Sequence, residues 1–81
     1  MIIVCDERKR EANLVKHGID FADIGEEFFA RAVIGASKLG RHFAIGELDG
    51  IIIVIFAMLG TEGLSIVSAR QANRKERKLI E

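Results

Sequence analysis

The stretch "GIIIVIFAML", Gly50 to Leu59, decides the fold. Its apolar run, Ile51–Leu59, has about half of the ~20 residues that a membrane helix needs. The run is rich in β-branched side chains, which fit a pleated, buried strand better than a helix. No transmembrane segment is expected. On either side the chain repeats the pattern. "LDG" leads in from "GRHFAIGEL" (Gly40–Leu48), "SKLG" separates that from "AVIGA" (Ala32–Ala36), and "TEG" leads on to "LSIVS" (Leu64–Ser68). Turn-like connections this short imply antiparallel neighbours. Within "RHFAIG" strict alternation puts Arg41, Phe43 and Ile45 on one face and His42 and Ala44 on the other.

The period is helical before Arg31. "IIVC" (Ile2–Cys5) reads as a short strand, after which Asp6 can accept backbone N–H bonds as the cap of a helix over Glu7–His17. Gly18 supplies a left-handed stop, and Lys16 and His17 suit the negative end of the helix dipole. Ile19 is placed to pack back on Leu14 or Val15. "DFADIGEEFFA" reads as a second helix capped by Asp20, with Phe21, Ile24 and Phe28 on one face. Gly25 in its middle costs about 1 kcal/mol relative to alanine.

In "SARQANRKER" Ser68 and Gln71 have the spacing of a capping box, so a last helix is expected from there to about Ile80. On that helix Arg70, Arg74, Arg77 and Lys78 fall at i, i+4, i+7 and i+8 and share a side. The expected order is β-α-α-β-β-β-β-α, an α+β layer with helices on a mainly antiparallel sheet. At 81 residues the chain reads as one domain, 1–81, near the lower size for folding on a single core. A domain that small can lean on a partner or on self-association, and the choice stays open.

Charge is sorted along the chain. Net charge is zero, yet residues 1–30 hold seven acids against four bases, and residues 64–81 hold five bases against two acids. The two segments therefore carry −3 and +3. Such a split suits a local anionic partner for the C-terminal segment, or pairing between the two halves. The single cysteine, Cys5, excludes an internal disulfide and a cysteine-cluster metal site, and the two histidines are too few for structural zinc. No metal and no cofactor is expected. Without a signal-peptide pattern a cytoplasmic location is favoured.

No phosphate-binding glycine loop, nucleophile elbow or paired-histidine zinc motif is present. What the chain offers is cations and acid–base groups: Lys16, His17, Arg41, His42, Arg70, Arg74 and Arg77. Metal-free phosphodiester cleavage needs that kit. A base takes the 2′-OH proton, cations hold the charge that develops on phosphate, and an acid protonates the leaving oxygen. RNA supplies its own nucleophile through the 2′-OH. Each residue also has a plainer reading. His17 can be a dipole-favourable helix end, His42 a solvent-facing strand residue, and the Arg70–Lys78 row a solvated face. Arg70, where strand meets helix, either binds an anion or pairs with an acid such as Glu11.

Three blocks carry a resemblance: "DERKREANLVKHGIDF" (Asp6–Phe21), "RHFAIG" (Arg41–Gly46) and "IVSARQANRKER" (Ile66–Arg77). In order and spacing they resemble the BrnT-type ribonuclease toxins of bacterial type II toxin–antitoxin systems. The resemblance implies a RelE-like small ribonuclease-toxin fold and metal-independent RNA cleavage that halts translation. It implies a cognate antitoxin as partner, with DNA reached only through that antitoxin, and no membrane. The matching positions are Asn13, Lys16, His17, Gly18, Arg41, Ser68, Ala69, Arg70, Ala72, Glu76 and Arg77. Among them Arg70 and Arg41 are assigned to phosphate and His17 to acid–base work. Lys16, Arg74, Arg77 and Lys78 are supporting RNA-binding cations. Three positions depart from the pattern. Cys5 stands where the family usually has an aromatic, Ser65 where it has an arginine, and Ile80 where it often has a tyrosine. Two readings follow: an active ribonuclease toxin, or a catalytically weakened module that only binds its antitoxin or nucleic acid.

Overall fold

A computed structural model describes residues 1–81. Five strands form one sheet: β1 (Ile2–Cys5), β2 (Val33–Ala36), β3 (His42–Glu47), β4 (Ile51–Leu59) and β5 (Gly63–Gln71). Their order across the sheet is β1-β5-β4-β3-β2. The last four make an antiparallel meander, as the short connections require, while β1 adds in parallel alongside β5. The decisive apolar run is the central strand β4. Its helix side is buried, and its other side is buried at Ile53 and half-buried at Ile51 and Ile55, which is why its sequence is continuous rather than alternating. Ile52, Val54 and Phe56 point to the helix-covered side, and Ile53 meets its cross-strand partner Ile45 on the other.

Helix α1 (Glu7–His17) follows its local signals at both ends. Asp6 Oδ1 accepts from the Arg8 and Lys9 N–H groups, and Gly18 turns left-handed at φ 71°, donating its N–H to the Leu14 carbonyl. The side chain of Asn13, buried, ties this helix down. Its Nδ2 donates to the Ile19 carbonyl at 3.0 Å and its Oδ1 accepts from the Ala69 N–H of β5 at 3.0 Å. Ile19 is buried in the main core.

The expected helix over Asp20–Ala30 is broken in two. Asp20 caps a 3₁₀ turn over Phe21–Asp23, then Ile24 and Gly25 are extended, and a new helix α2 runs from Glu26 to Arg31. Breaking at glycine sets Ile24 and Phe21 inward together with both Phe28 and Phe29. In a continuous helix Ile24 and Phe29, five residues apart, would face about 140° away from each other. Phe28 lies so close to Gly46 on β3 that a Cβ there would come within 2.7 Å of its ring. Phe29 packs edge-on against Phe28 and Phe56, with ring centres 5.4 and 5.2 Å apart. These residues, with Ala44, Ile52, Val54, Leu64, Ile66 and Ala69, form the core between sheet and helices.

The second correction is at the C-terminal end. β5 does not stop at Ser68. It pairs with β4 out to Ile52↔Gln71, with one irregularity where Val67 is accommodated opposite Ile55 and Phe56. Ser68 is therefore a strand residue and caps nothing. The true capping box is Asn73 with Glu76, which starts a one-turn helix α3 (Arg74–Arg77). Eight ladder pairs and a buried Ala69 outweigh a local cap that the chain can form equally well five residues later. Consequently Arg70 does not share a helix side with Arg74, Arg77 and Lys78. Arg41, too, lies just before its strand, closing the β2–β3 turn through backbone bonds with Ser37 and Lys38. No helix is long and apolar enough to cross a membrane.

Candidate nucleic-acid interface

Strand alternation places Arg70. Its neighbour Ala69 is fully buried among the helices, so Arg70 emerges on the opposite, open face of the sheet, across from Ile53. There it meets Glu76 end-on: Nη1 donates to Oε1 and Nη2 to Oε2, both at 2.8 Å. Nη1 also donates to the Gln71 carbonyl at 3.2 Å. An arginine has five N–H donors, so Nε–H and one N–H of Nη2 are left. Those two lie side by side on one edge of the guanidinium, the arrangement that grips a phosphate with two parallel bonds. The acid–base behaviour of the pair agrees with a fixed cation. The hydrogen bond to Glu76 raises the Arg70 pKa, and the same bond holds the Glu76 carboxyl below the usual carboxylate range.

Glu76 is the residue that sequence reasoning missed. It stands in one of the matched blocks without a catalytic or binding role, and the acid named as an alternative partner for Arg70 is Glu11. Folded, Glu76 serves twice: it closes the capping box by accepting the Asn73 N–H at 2.8 Å, and it orients Arg70. The available signal was Asn73-x-x-Glu76, a second capping pattern overlapping the first.

The remaining cations fall into separate places. Arg74, Arg77 and Lys78 surround a shallow concavity of about 380 Å³ with Ala72 and Glu81. It belongs to the same short helix that carries Glu76, so it adjoins Arg70 through that residue. Arg77 makes a loose 3.7 Å ion pair with Glu81. Lys16 is exposed and His17 half-buried at the end of α1, the helix that Asn13 fastens beside the outer edge of β5. Arg41 lies toward the other end of the sheet. The register pairs His42 with Phe56 and Ile53 with Arg70, so Arg41 and Arg70 are about 13 Å apart along the strands and about 10 Å across them. His42 is on the helix side, stacked on Phe56 with ring centres 5.5 Å apart, away from Arg70.

Two of the departures also have places. Ser65 pairs with Val4 and Ala57, and the register puts it on the open face with Arg70. Ile80 lies with Phe28 and Leu48 at a concavity near α2.

No curated protein sequence matches this chain. The family described as "Ribonuclease toxin, BrnT, of type II toxin-antitoxin system" matches residues 5–76. The 1.1 Å crystal structure of the Brucella abortus ribonuclease toxin BrnT aligns with a TM-score of 0.85 and 47% identity, covering 91% of this chain and 99% of that one. From Cys5 on the first strand to Glu76 beneath Arg70, the sequence and fold place this chain in the BrnT family of ribonuclease toxins of type II toxin–antitoxin systems.

Proposed function

We propose that the chain cleaves RNA in the bacterial cytoplasm without a metal ion, halting translation until a cognate antitoxin neutralises it. One observation carries the reading: the Arg70 guanidinium is held by Glu76 along one edge and presents its two-donor edge free on the open sheet face. In the reaction the 2′-OH attacks the adjacent phosphorus, the 5′-oxygen of the next nucleotide leaves, and a 2′,3′-cyclic phosphate forms. Arg70 stabilises the extra negative charge on the phosphoryl oxygens as the fifth bond develops. His17 is the assigned acid–base group, taking the 2′-OH proton or supplying one to the leaving oxygen. Arg41 contacts phosphate of the bound strand. Lys16, Arg74, Arg77 and Lys78 supply further backbone contacts. The RelE-like label belongs to the same reading, as does contact with DNA only through the antitoxin.

The test is expression in bacteria without antitoxin. Growth arrest and loss of intact RNA are expected, both relieved by Arg70→Ala. With purified protein, Arg70→Lys is expected to cost roughly 10²-fold in cleavage rate, since lysine cannot hold Glu76 and phosphate with paired donors at once. A substrate with a 2′-deoxyribose at the cleaved position is expected to stay intact.

A second reading has its own observation. Ser65 faces the same side as Arg70 where the family pattern carries an arginine, so that face has one cation fewer. Unimpaired growth at good soluble expression, with antitoxin still bound, would make the chain a binding module.

A further inference from the structure

The helices cover only part of their side of the sheet. Beyond α2 a groove of about 810 Å³ crosses the strands, floored by Ile34 of β2, His42 of β3, Phe56 and Met58 of β4 and Leu64 of β5, with Phe29 as one wall. Register and alternation put these floor residues on the helix side, opposite Arg70. Ile34 and Met58 are 52% and 48% exposed. Glu26 and Glu62 stand at the rim, and no lysine or arginine lines the groove. Five strands at about 4.8 Å spacing span roughly 19 Å, the length of about 13 helical residues.

We infer that this groove is a docking site for the antitoxin, filled by an amphipathic helix of three to four turns whose apolar face is flanked by lysine or arginine. Charge decides the occupant. Acidic rims repel RNA, which the basic open face attracts. They also disfavour a second copy docked groove to groove, since a two-fold contact would set Glu26 and Glu62 against their own copies. A basic, apolar segment buries Ile34 and Met58 and pairs both glutamates. It also leaves His42 covered in its stack on Phe56. The inference rests on the toxin–antitoxin reading and adds to it where, and by what chemistry, the antitoxin attaches: away from Arg70, so that holding the toxin and covering its phosphate site fall to different segments.

The experiment measures binding of the purified chain to its cognate antitoxin, with RNA cleavage by the free chain and thermal melting as controls. Ile34→Asp and Met58→Asp are each expected to weaken antitoxin binding at least tenfold while cleavage by the free chain is unchanged. Glu26→Lys combined with Glu62→Lys changes only exposed positions, so it stays informative if an aspartate in the groove prevents folding. It is expected to weaken binding several-fold, and more at low salt than at high. Binding within twofold of the unsubstituted chain for the folded variants overturns the docking site while leaving the toxin–antitoxin reading intact. Failure of the unsubstituted chain to bind overturns both. A homodimer that the same variants dissociate identifies a second copy as the occupant and overturns the assignment to antitoxin.

Discussion

Arg10 and Arg70 are both held by two-point contacts to a carboxylate, but through different edges. Arg10 uses its side-on edge, Nε to Asp20 Oδ1 at 2.6 Å and Nη2 to Oδ2 at 3.1 Å, and adds Glu7 through Nη1. Nothing is left with which to grip a second anion in the same way, so its role is to join α1 to the 3₁₀ turn. Arg70 is engaged end-on and keeps the side-on edge, which is why the two arginines have different meanings despite similar ion pairs. The Arg10 contact predicts a pH dependence. Its hydrogen bonds lower the Asp20 pKa from 3.8 to about 2, helped by the Ala22 N–H. A carboxylate depressed on folding stabilises the protein above its unfolded value and loses that contribution as pH falls through the folded one. Asp20→Asn is therefore expected to melt below the unsubstituted protein at pH 7, and the gap to close between pH 3.8 and about 2. Melting temperature against pH checks it; a gap that persists unchanged to pH 2 would mean the Asp20 charge contributes nothing.

Among the elements, β5 and α3 compete for the same residues, and the contest can be measured. Ser68-x-x-Gln71 and Asn73-x-x-Glu76 are both capping patterns, and only the second is used. Asn73→Ala is expected to cost α3 about 1 kcal/mol and to speed amide exchange at Arg77 and Lys78, whose N–H groups close that turn. Ser68→Ala is expected to change stability by less than about 0.5 kcal/mol and to leave that exchange alone. If Ser68→Ala frays the helix instead, the strand assignment is wrong. The contrast explains what the sequence made legible. Helix α1 was readable residue by residue because its determinants, Asp6 and Gly18, lie within one turn of its ends. β4 was readable from length and branching. The end of β5 depends on eight pairings with β4 and on the Asn13–Ala69 bond, which joins residues 56 apart in sequence. Local pattern carries no information about such contacts. The break at Ile24–Gly25 was half visible, since Gly25 marked the weak point but the demands of Phe29 on the core came from the sheet. At the candidate site Arg70 was legible in its motif. Its partner was not, because strand-to-helix geometry had first to bring Glu76 back across Asn73.

For the molecule as a whole, the sorting of charge along the chain becomes a sorting in space. The acids Glu26 and Glu62 stand at the groove on the helix side, while Arg70 lies on the open face and Arg74, Arg77 and Lys78 gather around α3. Net charge of zero would suggest weak, salt-insensitive contact with RNA. The arrangement predicts otherwise, because counterion release depends on the phosphates contacted locally and not on the protein's total charge. For single-stranded RNA the logarithm of the binding constant falls with the logarithm of salt by about 0.7 per phosphate neutralised. If Arg70, Arg74, Arg77 and Lys78 each neutralise one phosphate, the slope is expected to be near −3, and each single change to alanine to reduce it by about 0.7. Glu62→Gln, in the groove, is expected to leave the slope alone. Titrating a non-cleavable 2′-deoxy strand over a range of salt measures binding apart from cleavage. A slope that moves with Glu62 as much as with Arg74 would mean that RNA senses the whole molecule's field, and the separation of two working faces would fail.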